Sequence, residues 1–159
     1  MVRNNPLVSA KTSKIVSASF PSKLSQIIDF FESLSETERR ENLVSFAERA
    51  KNWEPISNEQ FDFEDVRKDE QCTDTVGIFL KVKDGKLSFR ISMGPKVQTL
   101  TRALATILCQ VMEGSTLEET LAVNKECIAK IVGEKLVRLR SQTVYYLLSR
   151  MQSAASDLS

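Results

Sequence analysis

The stretch CTDTVGIFLKVKDGKLSFRIS, residues 72–92, decides the fold class, because its apolar residues recur with a period of two. Side chains two residues apart lie on the same face of a β-strand. Asp84-Gly85 stands between two such runs and is typical of the two-residue turn of a β-hairpin. The residues predicted to share the buried face are Val76, Ile78, Leu80 and Val82 on the first strand and Leu87, Phe89 and Ile91 on the returning strand.

Helical periodicity precedes this hairpin. Ser22 is predicted to cap a first helix, and Ser35 with Glu38 forms a capping box that predicts a second helix running towards Trp53. The apolar residues of these helices are Leu24, Ile27, Ile28, Phe31, Leu43, Phe46, Ala47 and Ala50. Residues 54–71 are acidic, polar and without a period, which predicts a loop.

Helical patterns also follow the hairpin. A long helix is predicted to stop at Gly114, and its inner face is predicted to carry Val97, Leu100, Leu104, Ile107, Leu108 and Val111. Ser115 to Glu118 is predicted to cap a short helix. Ile128 and Ile131 mark another helical piece. The last helix is predicted from about Leu136 to Met151, with a buried stripe of Leu136, Leu139, Val144, Leu147 and Met151.

This order of elements predicts an α+β fold, in which a small antiparallel sheet packs against several helices. Residues 20–159 are expected to form a single domain. Residues 1–19 contain Arg3, Lys11, Lys14 and four serines but no acid, and they show no apolar period. They are interpreted as a disordered terminus or as a targeting segment for an organelle.

Composition removes several classes of function. The 159-residue chain has a formal net charge of +1, which gives no electrostatic case for binding nucleic acid or a membrane. The chain has no histidine, which excludes Ser-His-Asp and Cys-His catalysis and histidine-ligated zinc. Its three cysteines lack CxxC spacing, so neither a disulfide framework nor a metal site is predicted, and a reducing compartment is favoured.

The three cysteines differ in their surroundings. Cys109 lies within an apolar helix and is predicted to be a buried core residue, and Cys127 is interpreted as helical filler beside Ile128. Cys72 lies at a strand start, where it is either a buried residue or a reactive thiol. Arg67 and Lys68 would favour its thiolate form, whereas Asp69, Glu70 and Asp74 would disfavour it.

From Phe20 onward the chain resembles the SufE family of sulfur-acceptor proteins, especially its cyanobacterial and plastid branch. The resemblance lies in the order of four pieces, which are FPSKLSQIIDFFESLSETERRENLVSFAERA, CTDTVGIFLKVKDGKLSFRIS, LTRALATILCQVMEGSTLEETLAV and RLRSQTVYYLLSRMQ. Each piece is only moderately specific, and their joint order is more specific than any one of them. The fold that this resemblance implies is the SufE/IscU-like fold.

The resemblance implies that Cys72 accepts a sulfane sulfur from the persulfide of a SufS-like cysteine desulfurase and relays it to a SufB-like iron–sulfur scaffold. Asp74, Arg102 and Arg140 are then expected to contact the partner. The protein would be a sulfurtransferase-like carrier and desulfurase activator rather than an independent enzyme. It would need no cofactor of its own, since the pyridoxal phosphate belongs to the desulfurase. The branch implies a plastid or another organelle, with the cytoplasm as the alternative.

Two positions depart from the family's pattern. Gln71 stands before Cys72 where the family usually has glycine, and the segment Ser92–Val97 lacks the acid that usually precedes the long helix. These departures keep open a second hypothesis, in which the chain is a non-catalytic adaptor that binds a desulfurase or scaffold without carrying sulfur. A third hypothesis is an iron–sulfur scaffold, which would need several convergent cysteines.

Overall fold

The computed structural model describes residues 20–69 and 74–158. Its elements follow the order that the α+β class predicts, with helices before and after a three-stranded sheet in the chain. They are α1 (Phe20–Glu32), α2 (Glu36–Glu48), a short 3-10 helix (Ala50–Trp53), β1 (Phe63–Asp69), β2 (Asp74–Lys83), β3 (Lys86–Met93), α3 (Thr99–Met112), α4 (Leu117–Ala122), α5 (Lys125–Val132) and α6 (Glu134–Leu158).

The sheet is antiparallel with the order β1-β2-β3. The predicted hairpin is confirmed: Lys83 pairs with Lys86, and the turn residues Asp84 and Gly85 have φ of 54° and 74°. Positive φ at both central positions is the geometry of a type I′ turn, which an Asp-Gly pair adopts at low cost. The register of β2 and β3 therefore follows from the turn.

β1 corrects the predicted loop over 54–71, which is wrong for residues 63–69. This strand pairs with β2 from Phe63 opposite Leu80 to Asp69 opposite Asp74. The residues of β1 that share the inner face of the sheet, Phe63, Asp65 and Arg67, include only one apolar side chain. The strand therefore shows no hydrophobic alternation, although its backbone completes the sheet.

The core lies between one face of the sheet and the helices. Val76, Ile78 and Leu80 on β2 and Leu87, Phe89 and Ile91 on β3 are buried against α3 and α6, as predicted, whereas Val82 is more than a third exposed. α3 is the central helix, with ten buried residues among its fourteen. α1 and α2 cover its other side, so α3 is enclosed between these helices and the sheet.

Two predicted helix starts shift. Ser22 is not a cap, because α1 already begins at Phe20. Pro21 suits the first turn of this helix, because backbone N–H groups there have no partner within the helix and proline has no N–H. α4 is capped by Thr116 with Glu119 rather than by Ser115 with Glu118. The Ser35–Glu38 capping box of α2 is confirmed, with both of its hydrogen bonds present.

The last helix differs most from its prediction. α6 extends to Leu158 and is kinked at Arg140, whose φ of −139° and ψ of 35° are not helical. Val144, Leu147 and Met151 are buried as predicted, but Leu139 is 70% exposed. The kink ends the continuous 3.6-residue period, so the stripe drawn through Leu139 is wrong at that residue.

Candidate functional site

Cys72 lies outside the described residues, between Asp69 and Asp74 in the chain. These two residues pair with each other across β1 and β2. In the sequence Cys72 comes two residues before Asp74, and two residues of extended chain span at most about 7 Å. Asp74 is the described residue that is nearest to Cys72 in the chain.

Asp74 is fixed by hydrogen bonds to the backbone. Its Oδ1 accepts from the N–H of Thr75 at 2.7 Å, and its Oδ2 accepts from the N–H of Lys96 at 2.7 Å. These bonds hold the pKa of the Asp74 carboxyl below its ordinary value, the bond from Lys96 contributing most. The start of β2 is thus attached to the connection between β3 and α3.

Gly94 makes that attachment sterically feasible. The Asp74 carboxylate occupies the space where a side chain at residue 94 would begin, so a Cβ atom there would collide with it. The Gly94 N–H also donates to the carbonyl of Thr75 at 2.9 Å. The absence of a side chain at residue 94 lets the turn after β3 lie directly against the start of β2.

Arg102 holds the same turn from within α3. Its Nη2 donates to the carbonyl of Gly94 at 2.6 Å, and its Nε donates to the carbonyl of Val97 at 3.1 Å. The guanidinium is half-buried and also favours the ionised form of Asp74. Its bonds within the chain identify Arg102 first of all as a residue that shapes this turn.

Arg140 reaches the turn from the kink of α6. Its Nη1 donates to Oε1 of Gln98 at 2.8 Å, and both residues are exposed. Gln98 is the N-cap residue of α3, but its side chain makes no capping hydrogen bond. Its amide oxygen accepts from Arg140 instead. Asp74, Arg102 and Arg140, which come from β2, α3 and α6, therefore meet at residues 94–98, here called the β3–α3 turn.

A buried arginine that the sequence reasoning missed secures the other strand. Arg150 on α6 has a side chain that is only 2% exposed, and it donates to the carbonyl of Val76 and to the carbonyl and Oδ2 of Asp65. Asp65 Oδ2 also lies 3.3 Å from Nε of Arg67. The signal in the sequence was an arginine three residues after Leu147, on the buried side of an apolar stripe.

The two described cysteines lie away from the β3–α3 turn. Cys109 on α3 is fully buried, as predicted, and burial raises the pKa of its thiol. Cys127, in the first turn of α5, is half-buried and packs against the core, and its N–H donates to Oδ1 of Asn124. Burial therefore disfavours a reactive thiolate at Cys109.

Two kinds of feature are absent from residues 20–69 and 74–158. No group of three or more cysteine, aspartate or glutamate residues there could hold a metal ion. No helix in this part of the chain has both the length and the apolar character that crossing a membrane requires.

Comparison with known proteins gives one family and several structural relatives. Residues 25–155 match the model of the SufE family, described as an Fe-S metabolism associated domain. No curated protein matches the chain. A hypothetical protein from Thermus thermophilus, solved in solution, has a similar fold, with a TM-score of 0.64 and 21% identity over 86% of this chain and 95% of that one.

A second structure has a similar fold. The N-terminal part of a nitrogen-fixing NifU-like protein from Brucella abortus superposes with a TM-score of 0.53 and 20% identity, covering 78% of this chain and 94% of that one. At these identities the likeness concerns the fold. The family match extends across β1, β2 and the β3–α3 turn, so Cys72, Asp74, Arg102 and Arg140 all lie within it.

Proposed function

The chain belongs to the SufE family and so has a role in iron–sulfur metabolism, and on that premise we propose that Cys72 accepts sulfur from a cysteine desulfurase and relays it to cluster assembly. The observation that carries the proposal is the position of Cys72 in the matched region. In the sequence it stands between Asp69 and Asp74, which pair with each other across β1 and β2. Of the other two thiols, Cys109 is fully buried, which disfavours its thiolate, and Cys127 packs half-buried against the core.

The transfer is a substitution at sulfur. The Cys72 thiolate attacks the outer sulfur of the desulfurase persulfide, R–S–SH. A new S–S bond forms as the old one breaks, so Cys72 becomes the persulfide and the inner sulfur of the desulfurase leaves as a thiolate. Protons and electrons balance without an external oxidant, and the carrier needs no resident cofactor. The pyridoxal phosphate that releases sulfur from free cysteine belongs to the desulfurase.

The surrounding charges act on this step in opposite directions. Asp74, within two residues of the thiol, disfavours a second negative charge nearby. Its carboxylate is partly compensated by the N–H groups of Thr75 and Lys96 and by the charge of Arg102. Arg67 remains on the inner face of β1, next to the strand end that leads to Cys72, and its side chain is more than half exposed.

Mass spectrometry of the peptide that carries Cys72 tests the proposal directly. After incubation with the cognate desulfurase and free cysteine, this peptide should gain one sulfur, and added thiol should remove it. Cys72→Ser should keep the fold and abolish stimulation of the desulfurase, because an alcohol at neutral pH is too weak a nucleophile. Cys127→Ser is the matched control and should still carry sulfur.

The adaptor function is a second candidate, and Gln71 is the observation that favours it. A side chain at residue 71 makes positive φ costlier than the family's usual glycine does. The mass measurement separates the candidates. If Cys72 stays unmodified while the protein still binds the desulfurase, the adaptor function holds and the carrier function fails.

We also propose that residues 1–19 direct the protein to a plastid or another organelle. Their basic, serine-rich and acid-free composition supports this assignment. A fluorescent fusion that retains these residues should enter the organelle, and one that begins at Phe20 should stay in the cytoplasm. Cytoplasmic fluorescence from both fusions would contradict the assignment and leave the carrier function unaffected.

A further inference from the structure

An apolar groove lies next to the kink of α6, and its lining includes Leu139, the residue before Arg140. It has a volume of about 310 Å³ and lies between the start of α2 and the junction of α5 with α6. Leu43 and Val132 are buried at its floor, and Leu136 is half-buried beside them. Leu139 stands at its edge with 70% of its surface exposed, because the kink at Arg140 separates it from the buried stripe of α6.

We propose that this groove, with Leu139 as its anchor, is the surface on which the cysteine desulfurase docks. The proposal rests on the proposed function and names a docking surface for it. Large exposed apolar side chains beside a groove are typical of interaction sites, where one or two buried anchors supply much of the affinity.

Charge around the groove selects the occupant. Arg39, Arg40 and Lys135 line it together with Glu36 and Glu134. Both acids have basic neighbours, since Glu36 lies 3.6 Å from Lys135 and Glu134 lies 3.8 Å from Arg138. Among the described residues, no acid forms an ion pair with Arg39 or Arg40. The rim is therefore positive and fits a partner surface that presents an apolar side chain flanked by acids.

The same charge argues against two other occupants. Residues 1–19 of this chain carry Arg3, Lys11 and Lys14 and no acid, so they would be repelled by the rim. In a symmetric dimer the groove would face its own copy, and two positive rims would oppose each other. An acidic partner protein avoids both conflicts.

Continuity with the Cys72 region identifies that partner as the desulfurase. Arg140, directly after Leu139, bonds to Gln98 of the β3–α3 turn, and Gly94 of the same turn contacts Asp74. A typical interface covers about 800 Å² per partner, which is roughly 30 Å across. A protein that delivers a persulfide to Cys72 through such a patch would also cover the neighbouring Leu139.

Leu139→Asp tests the surface, with Ile56→Asp as the matched control. Ile56 is 72% exposed and lies in the loop between the 3-10 helix and β1. Leu139→Asp should weaken binding to the cognate desulfurase by about tenfold or more in a direct titration, because it removes an apolar anchor and adds a charge that opposes the partner's acids. Ile56→Asp should bind like the wild type. Both variants should keep the wild-type melting temperature and the wild-type rate of Cys72 alkylation by iodoacetamide.

A charge-reversing substitution gives a second test of the docking surface. Arg40→Glu should also weaken binding, and the loss should shrink as salt is raised, because exposed charges are screened. Equal affinity of Leu139→Asp and Ile56→Asp would overturn the docking surface. So would a dimer of the wild type that Leu139→Asp dissociates. If the wild type binds the desulfurase but Cys72 gains no sulfur, the carrier function fails. The titration of the variants still shows whether the desulfurase docks on the groove.

Discussion

At the scale of single residues, Cys109 is a packing residue. It is fully buried among the apolar side chains of α3, and its raised thiol pKa keeps it protonated. Cys109→Ala should lower the free energy of unfolding by about 1–3 kcal/mol, since it leaves a small cavity. Urea denaturation measures this loss, and the variant should still accept sulfur on Cys72. A folded Cys109→Ala protein that accepts none would contradict the packing role.

Asp74 and Gly94 form a second feature at this scale, because the Asp74 carboxylate occupies the space that a side chain at residue 94 would need. Gly94→Ala should displace the Asp74 carboxylate and thereby reproduce the effect of Asp74→Ala. The two changes should then be non-additive in the double variant, because both remove the same contact. Thermal melts of the four proteins measure this coupling, and fully additive losses would show that the contact does not connect the two positions.

The lowered pKa of Asp74 gives that contact a pH dependence. A carboxyl whose pKa is lower in the folded state stabilises the fold above its unfolded pKa of about 3.9, and the contribution is lost as pH falls through the folded pKa. The stability difference between the wild type and Asp74→Asn should therefore be constant near neutral pH and narrow below about pH 4. Melting temperatures of both proteins across that range are the measurement. A gap that persists at the lowest pH would mean that the carboxylate charge is not what stabilises the turn.

At the scale of elements, α6 holds β1 and β2 together through Arg150. Arg150→Met keeps most of the side-chain volume but removes the donors to Val76 and Asp65, so it should cost about 2–4 kcal/mol. Arg138→Met is the control, because the ion pair of Arg138 with Glu134 is exposed and should contribute less than about 1 kcal/mol. Chemical denaturation of both variants should show this contrast, and equal losses would contradict it.

The same elements show how much could be predicted from sequence. The β2–β3 hairpin and the Ser35 cap were predictable, because a turn pair and a capping box are local signals. β1 was not, since Asp65 is satisfied by Arg150 from 85 residues away and leaves no apolar period in the strand. The meeting of Asp74, Arg102 and Arg140 at one turn depends likewise on tertiary packing. Family resemblance could name those three residues but not their contacts.

At the scale of the whole molecule, we expect the packed unit to need few residues before α1. The family match begins at residue 25, and the described core begins within α1 at Leu24. A chain that starts at Phe20 should therefore melt within a few degrees of the full-length protein and carry sulfur equally well. Calorimetry and the mass measurement on Cys72 test both parts. A large drop in melting temperature would show that residues 1–19 contribute to the fold.

α6 also separates the two ends of the protein. From Arg140, beside the β3–α3 turn, the helix rises about 1.5 Å per residue for 18 residues, so Leu158 lies about 27 Å away. There Leu158 shares a groove with Val82 and Gly85, at the opposite end of the sheet from Asp74. A dye or surface tether attached at the carboxyl terminus should therefore leave free the end at which we propose that the desulfurase docks. This makes the carboxyl terminus the favoured attachment point for single-molecule or immobilised measurements of the proposed sulfur transfer.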